Sequence, residues 1–300
     1  MNLDISFNHA LRPNAAHRDS ARPILITGAR GTLGSAFVRT CTARGLPHHA
    51  LNRQQLDITR PDSIARAIAE LRPWAIINAS GYVRVDDAEA ERDACWSGNV
   101  HGPALLAAAC AAADIHLLTF SSDLVFDGRQ RSPYVESDPV RPLNVYGASK
   151  AEAERLVLAG HPQALVVRTS AFFGDHDAHN FVTLALGALA AGESFIAADD
   201  VTVTPTYVPD LVDACLDLLL ARSTGLRHLS NSGEVTWAAL AAKACAIAGV
   251  DAGRLEARPA ESLGHAALRP HYCALASELP ALLPTLDDAL ARYCRRLGAG

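Results

Sequence analysis

The sequence contains almost no lysine. Of its 27 basic residues only Lys150 and Lys243 are lysines, and no run of basic residues occurs. A protein that binds nucleic acid needs a basic stripe or patch to meet the phosphates, whereas the formal net charge here is −5 at pH 7. Nucleic acid is therefore not an expected partner.

Long apolar runs and paired cysteines are also missing. No stretch is long enough to cross a bilayer, and the first residues lack the basic and apolar segments of a secretory signal, so no membrane contact is expected. The seven cysteines are scattered and never spaced Cys-x-x-Cys. Such thiols are typical of small buried residues in a reducing compartment, and not of disulfides or zinc sites. We therefore expect a cytoplasmic protein with no bound metal.

From residue 23 onwards, short apolar strands alternate with helices. The predicted strands are residues 23–27, 48–52, 74–80, 116–122 and 164–170. The predicted helices follow the glycines of residues 28–34, begin at Pro61, lie within residues 94–114 and extend from Tyr146 to Ala159. This alternation predicts a parallel sheet covered on both faces, which is the doubly wound α/β or Rossmann fold.

Three glycines lie between the first strand and the first helix. Gly28, Gly31 and Gly34 form G-x-x-G-x-x-G, which by itself would indicate only a tight turn. In the first βαβ unit of a chain, however, this is the context of a dinucleotide site. Glycines let the backbone approach a pyrophosphate, and the N–H groups at the helix start favour its negative charge.

The end of the second strand indicates which dinucleotide would bind. An acidic residue there would bind the ribose 2′-OH of NAD, and an arginine would accept the 2′-phosphate of NADP. The chain has Arg53 at this point and Arg30 inside the glycine turn. We therefore predict a preference for NADP(H), with NAD(H) as the alternative if both arginines are only solvated surface groups.

Tyr146 and Lys150 lie four residues apart on a predicted helix, so their side chains share one face. A cation about 4 Å from the phenol, at an effective dielectric near 20, is worth roughly 4 kcal/mol. This would lower the tyrosine pKa by about three units, before any desolvation, into the range that general acid catalysis needs. Ser121 or Ser122, after the fourth strand, would hold a carbonyl oxygen beside the phenol, unless these serines only cap the strand end.

Together these segments resemble the extended short-chain dehydrogenase/reductases and, within them, the dTDP-4-dehydrorhamnose reductase family. The resemblance extends from Pro23 nearly to the C-terminus, and its most specific stretches are FSSDLVFDG (120–128) and PLNVYGASK (142–150). It implies an NADPH-dependent reductase of a keto-sugar, or of a 4-keto sugar activated as a nucleotide. It also implies a Rossmann domain over residues 23–170, to which residues 207–235 return, and a smaller, mainly substrate-binding part over residues 171–300.

The resemblance assigns roles by position. Ser122 would polarise the substrate carbonyl, Tyr146 would donate the proton, Lys150 would bind the nicotinamide ribose and Asn99 would support the lysine. With the glycine turn and the arginines, the residues expected at the cofactor are Gly28, Arg30, Gly31, Thr32, Leu33, Gly34, Arg53, Asp57, Ile58, Ala79, Ser80, Gly81, Tyr146 and Lys150. The residues expected at the substrate are Ser121, Asp123, Leu124, Ala171, Asn180 and Arg269.

Two positions depart from the family pattern. Leu124 stands where the family has a tyrosine, and Ala171 stands where it commonly has a tryptophan. Both family residues lie towards the sugar, so the departures imply that catalysis is kept while the substrate is not dTDP-4-dehydrorhamnose.

Two other functions are compatible with the same residues. A sugar-nucleotide epimerase or dehydratase would use the same Tyr-Lys pair, although dehydratases carry Thr-Asp-Glu where this chain has Ser122-Asp123-Leu124. A non-catalytic, NADP-binding regulatory subunit is the other alternative.

The organisation of the chain outside the predicted site is also predicted. A homodimer is expected. Residues 1–22 are interpreted as a flexible leader or linker, and they resemble the junction to an upstream fused glycosidase domain. Only two helices are predicted in the last third, at residues 236–249 and 286–298.

Overall fold

The computed structural model describes residues 22–297. Its strands are β1 (Ile24–Thr27), β2 (His48–Leu51), β3 (Ala75–Asn78), β4 (His116–Phe120), β5 (Leu165–Arg168), β6 (Phe172–Phe173), β7 (Phe195–Ala198), β8 (Thr202–Val203), β9 (Thr206–Tyr207), β10 (Gly225–His228), β11 (Val235–Thr236) and β12 (Leu255–Arg258). Its α-helices are α1 (Thr32–Ala43), α2 (Pro61–Leu71), α3 (Arg92–Trp96), α4 (Gly102–Ala112), α5 (Val145–Gly160), α6 (Phe181–Ala190), α7 (Val208–Leu220), α8 (Trp237–Ala248) and α9 (Leu286–Leu297). None of these helices is long and apolar enough to span a membrane.

Six strands form one parallel sheet in the order β2-β1-β3-β4-β5-β10. The four residues of β1 are all buried, as in a strand covered on both faces. One face packs against α1 and α7, through residues such as Phe37 and Leu211. The other face packs against α2, α4 and α5, through Ile64, Leu106 and Val157. The predicted doubly wound fold is therefore confirmed, with strands one to three residues shorter than predicted.

The described chain after residue 170 is more regular than the sequence suggested. It contains four α-helices and not two, because α6 and α7 were not predicted. Helix α6 has the sequence FVTLALGALA, whose nearly continuous apolar residues have no clear helical period. Helix α7 was recognisable, because Pro209 and Asp210 in its first turn are ordinary start signals. Helices α6, α8 and α9 enclose a separate core that includes Phe173, Leu240 and Tyr293.

The predicted leader lies outside the described residues except for its last member. Arg22 donates hydrogen bonds from its guanidinium to the carbonyl oxygens of Arg72 at 3.0 Å and Pro73 at 2.6 Å. Residue 22 is thus attached to the end of α2, next to the start of β3.

A buried ion pair joins α5 to the sheet. The carboxylate of Glu154 accepts two hydrogen bonds of 2.7 Å from Arg168 of β5, and both side chains are less than one tenth exposed. Replacing Glu154 with alanine leaves the guanidinium buried without its partner, which we expect to lower the free energy of unfolding by about 3–5 kcal/mol. Urea unfolding measures this change.

Glu152 provides the matched control on the same helix. It pairs with Arg155 at the surface, so Glu152→Ala should cost about 1 kcal/mol or less. Equal losses in the two variants would contradict the assigned difference in burial.

Candidate active site

The predicted glycine turn lies where the strand order of the sheet changes direction, between β1 and β3. Gly28 follows β1 with φ +64°, and a Cβ at this position would lie 2.5 Å from the carbonyl oxygen of Ala79, just after β3. A Cβ at Gly34 would lie 2.2 Å from the carbonyl oxygen of Gly28. Ligands of doubly wound sheets bind at such a switch point, and here only glycine permits the backbones to meet.

Gly31 has a different environment. It is the N-cap of α1, and the nearest atom to a Cβ built on it is the Gly28 carbonyl oxygen at 3.4 Å. It lines an open cleft of about 660 Å³ together with Gly28, Arg30, Asn52, Arg53, Gln54 and Asp57. An open helix start with two arginines beside it is suited to the phosphates of a dinucleotide. The residues present therefore fit NADP(H).

Other predicted cofactor residues surround the same cleft or support it. Asp57 accepts hydrogen bonds from the backbone and side chain of Thr59, at 3.0 and 2.7 Å, and pairs with Arg53 at 3.4 Å. Burial acts against ionisation of Asp57, but these partners outweigh it and the pKa stays below its usual value. Ile58 is buried in the core, and Thr32 donates to Asp177 at 3.0 Å.

The remaining cofactor candidates hold the turn in place. Leu33 packs against the core beneath α1, and Ser80 donates its backbone N–H to Asn78 at 3.3 Å. Gly81 approaches Asn99 so closely that a Cβ would lie 2.8 Å from its Oδ1 atom. The segment after β3 therefore passes between the glycine turn and the helix that carries Asn99.

Tyr146, Lys150 and Ser122 are brought together by the start of α5. Asn144 caps this helix by accepting a 2.7 Å hydrogen bond from the N–H of Gly147. Gly147 packs so tightly against the turn after β4 that a Cβ would lie 2.1 Å from the carbonyl oxygen of Leu124. The Tyr146 phenol therefore lies near Ser122, close enough for the two hydroxyls to interact.

Lys150 lies one turn further along α5. Its Nζ atom donates to the carbonyl oxygen of Phe120 at 3.2 Å and lies 5.6 Å from the ring centre of Tyr146. Burial lowers the pKa of Lys150 to about 8. Burial, followed by the charge of Asp123, raises the pKa of Tyr146. The predicted lowering of the phenol pKa is therefore wrong, because burial and the charge of Asp123 raise it instead.

Asn99 lies in a π-helical turn, Ser97–His101, between α3 and α4. Its side chain accepts from the N–H of Tyr82 at 2.8 Å and donates to the carbonyl oxygen of Tyr82 at 3.0 Å and to Ser149 at 3.1 Å. Turns of this type often occur at functional sites. Here the turn directs Asn99 both to the segment after β3 and to the helix of Lys150.

Ser121 and Ser122 face different surroundings. Ser122 lies near the phenol, whereas Ser121 lines a small cavity of about 10 Å³ with Lys150, Asn99 and Glu154 among its neighbours. Among the described residues, the Ser121 hydroxyl has no hydrogen-bond partner. The cavity has room for about one water molecule. Of the two serines, Ser122 is the one that interacts with the phenol of Tyr146.

The other predicted substrate residues have specific partners. Asp123 is buried and Leu124 is partly exposed beside Ser122, while Ala171 has φ +42° and accepts from the N–H of Thr206 at 3.1 Å. Asn180 caps α6, accepting from the N–H of Thr183 at 3.0 Å. The structure thus gives Asn180 a structural role and leaves its contact with substrate a prediction.

Arg269 is also engaged. Its guanidinium donates to both carboxylate oxygens of Asp86, at 3.1 and 2.8 Å. This pair connects the loop after β3 to the segment after β12. A substrate phosphate at Arg269 would have to compete with Asp86 or share the arginine with it.

Sequence reasoning missed several residues of this site. Cys95 lies 3.4 Å from Ser149, and Cys273 donates to Asp123 at 3.1 Å, as does Ser170 at 2.5 Å. Nothing in the sequence spacing signals these contacts. Glu154 could have been found, because it lies four residues after Lys150 and so shares its helix face. Within residues 22–297, no group of three or more His, Cys, Asp or Glu side chains has the geometry of a metal site.

Comparison with known proteins gives consistent matches. The family described as "RmlD substrate binding domain" matches residues 22–287. A dTDP-4-dehydrorhamnose reductase of Streptomyces griseus is 36% identical over 257 residues, 84% of each chain. A dTDP-4-keto-6-deoxy-D-glucose reductase of Streptomyces niveus is 34% identical over 252 residues, 84% of this chain and 87% of the other.

Solved structures are similar over almost the whole described chain. A dTDP-4-dehydrorhamnose reductase from Clostridium acetobutylicum has a TM-score of 0.87 at 28% identity, covering 92% of this chain and 99% of the other. The same enzyme from Bacillus anthracis, in complex with NADP, has a TM-score of 0.86 at 29% identity, with the same coverage. The family match covers far more than half of the residues, so the chain belongs to the RmlD substrate binding domain family.

Proposed function

We propose that the chain is an NADP(H)-dependent reductase of a keto-sugar activated as a nucleotide. One observation carries this: Ser122, Tyr146 and Lys150 lie together at the carboxyl end of β4, beside a cleft suited to a dinucleotide. The relatives named as reductases of dTDP-linked keto-sugars, and the NADP bound in the Bacillus anthracis structure, support the same function.

Each group has a distinct task. NADPH, when bound, supplies a hydride for the carbonyl carbon. The glycine turn and the start of α1 bind its phosphates, and Lys150 binds the nicotinamide ribose. Tyr146 gives its proton to the carbonyl oxygen and Ser122 donates a hydrogen bond to it. Because burial raises the pKa of Tyr146, the phenol keeps its proton at neutral pH and can donate it to the substrate oxygen during the reaction.

Cofactor consumption tests the function. The protein is mixed with NADPH and either dTDP-4-dehydrorhamnose or dTDP-4-keto-6-deoxy-D-glucose, and NADPH absorbance is followed while products are identified. We expect one NADPH oxidised for each sugar reduced. Product without NADPH consumption would indicate an epimerase or dehydratase. NADPH binding without any product would indicate the regulatory subunit.

The substrate class is proposed more narrowly from two side chains. Leu124 and Ala171 are both partly exposed, and neither supplies the aromatic side chain that the family has towards the sugar. We infer that the sugar site is more open and less aromatic than in the rhamnose enzymes. A related dTDP-linked keto-sugar should then have the higher kcat/KM in the assay above. Highest activity with dTDP-4-dehydrorhamnose would contradict this.

NADP preference is proposed to depend on the arginines of the cleft. Arg53 is exposed and lines the cleft beyond β2. Replacing it with alanine removes a charge-assisted hydrogen bond to the 2′-phosphate, and we expect the Kd of NADPH to rise about tenfold or more. The Kd of NADH should change less than about twofold, since NADH has no 2′-phosphate for Arg53 to bind. Fluorescence titration measures both constants.

Arg60 provides the control for Arg53. It is an exposed arginine at the start of α2 that pairs with Asp62, and it does not line the cleft. Arg60→Ala should leave both constants unchanged. Equal loss of NADPH and NADH affinity in Arg53→Ala would show that this arginine does not read the 2′-phosphate.

Other features of the proposal concern organisation. We infer a cytoplasmic protein, supported by seven cysteines that are all free and buried. We also infer a Rossmann part and a smaller substrate part, although α7 packs against α1 and β10 pairs with β5. The homodimer and the upstream glycosidase domain stay predictions. Size-exclusion chromatography with light scattering tests the first of these two.

A further inference from the structure

Asp123 is buried directly beside the proposed catalytic serine, and no cation within residues 22–297 pairs with it. Among residues 22–297, its carboxyl group contacts the hydroxyls of Ser122 at 2.9 Å and Ser170 at 2.5 Å and the thiol of Cys273 at 3.1 Å. These partners are neutral. An isolated carboxylate is costly to bury unless it is paired with a charge or loses its own. The protonation state of Asp123 therefore determines which hydrogen bonds Ser122 can form.

Ser122 has three polar neighbours but only one hydroxyl hydrogen to donate. Its oxygen accepts from the N–H of Leu124 at 3.1 Å, lies 2.9 Å from the Oδ1 atom of Asp123, and is near the phenol of Tyr146. A serine hydroxyl has one hydrogen and two lone pairs. The N–H of Leu124 always occupies one lone pair, so the proton on Asp123 decides how the hydrogen and the second lone pair are used.

If Asp123 is ionised, it can only accept, and Ser122 must direct its single hydrogen to it. In that arrangement the hydrogen of Ser122 points to the carboxylate and not to a substrate oxygen. The site would have to break this hydrogen bond before Ser122 could polarise a carbonyl.

If Asp123 is protonated on Oδ1, it donates to Ser122 and fills the second lone pair. The hydrogen of Ser122 is then free for the substrate oxygen. Both lone pairs of Ser122 are then occupied, so the hydrogen of Tyr146 is also available to the substrate oxygen. Ser170 and Cys273 donate to Oδ2 in both states. Protonation therefore changes only the hydrogen bonds of Oδ1, the oxygen next to Ser122.

We propose that Asp123 is a positioning residue that works as the neutral acid, donating to Ser122 and so turning the Ser122 hydrogen towards the substrate carbonyl. This proposal rests on the proposed function of Ser122 and Tyr146. The proton on Asp123 is retained through the cycle, and no bond to it forms or breaks during turnover.

The surroundings of Asp123 favour the neutral acid. Burial raises its pKa, and the hydrogen bonds from Ser170, Cys273 and Ser122 offset this only in part. The titratable groups facing it are the phenol of Tyr146 and the thiol of Cys273. Both become negative when they ionise, so neither stabilises a carboxylate. As the pH rises through its raised pKa, Asp123 loses the proton and Ser122 turns away from the substrate.

The test compares Asp123→Asn with Asp123→Ala and Ser122→Ala, using dTDP-4-keto-6-deoxy-D-glucose and dTDP-4-dehydrorhamnose as probes. The asparagine amide can donate to Ser122 while its oxygen accepts from Ser170, so we expect kcat within about threefold of the wild type. Asp123→Ala should lose about tenfold in kcat, the equivalent of one hydrogen bond, with little change in KM. The part of the alkaline fall of kcat that Asp123 causes should be absent from Asp123→Asn, whereas the fall caused by deprotonation of Lys150, whose pKa burial lowers to about 8, should stay. If Asp123→Asn is as inactive as Ser122→Ala, the proposal is overturned.

Infrared difference spectra give a readout that needs no turnover. At pH 7 the wild type should have a C=O stretching band of a neutral carboxylic acid that is absent from Asp123→Asn. Carboxylate bands alone would overturn the proposal even if Asp123→Asn failed to fold, because the wild-type spectrum shows them directly. Presence of the acid band without turnover of either sugar would overturn the proposed function, and the role of Asp123 in it, but not the protonation.

Discussion

Replacing Tyr146 with phenylalanine is expected to lower kcat by about 10²–10⁴-fold, the contribution of a positioned general acid. The phenyl ring keeps the packing around Ser122 and Lys150, and only the proton donor is lost. The Kd of NADPH should stay within about twofold, since the glycine turn and Lys150 are unchanged. Steady-state kinetics and fluorescence titration measure the two quantities.

Tyr272 is the matched control for this substitution. Its hydroxyl bonds to Glu234 at the exposed surface, so Tyr272→Phe should keep kcat within about twofold of the wild type. If Tyr146→Phe behaves like this control, the proton comes from another group and the proposed acid is wrong.

The glycine turn predicts two different outcomes from one chemical change. In Gly34→Ala the new methyl would lie 2.2 Å from the carbonyl oxygen of Gly28, so the backbone must shift, and we expect a loss of about 3 kcal/mol in the free energy of unfolding. In Gly31→Ala the nearest atom is 3.4 Å away, so stability should change by less than about 1 kcal/mol. Urea unfolding separates these two effects.

Cofactor affinity gives the complementary measurement. The methyl in Gly31→Ala would lie at the open side of the turn, where the phosphates bind, so the Kd of NADPH should rise about tenfold or more although the fold is kept. Tight NADPH binding by Gly31→Ala would place the pyrophosphate elsewhere. An unchanged stability of Gly34→Ala would show that the backbone contact is looser than described.

The fold was predictable because its signals are local. Buried strands such as β1 are short apolar runs, and Pro61 marks the first turn of α2 where no backbone N–H is needed. Helix α6 was missed for the opposite reason, since an element that is apolar on most sides carries no period to detect. Tertiary burial, and not local pattern, defines it.

The site was predictable only in part. Tyr146, Lys150 and Ser122 come together as expected, because motif spacing and strand order determine where they lie. The direction in which the pKa of Tyr146 shifts was not predictable, since desolvation depends on how closely the chain packs around the phenol. The contact between Asp123 and Cys273 joins residues 150 positions apart, and no sequence spacing encodes it.

Strand β10 and helix α7 have a consequence for how this protein can be made. Both lie within residues 171–300, the range assigned mainly to the smaller substrate part, yet β10 forms the edge of the main sheet beside β5, and α7 covers the apolar face around Phe37 together with α1. A ribosome that has synthesised the chain only as far as β5 has produced a sheet with one face partly exposed. The main sheet can be complete, with both faces covered, only after residue 228 has emerged from the ribosome. The Rossmann part therefore cannot finish folding before synthesis of the smaller part has begun.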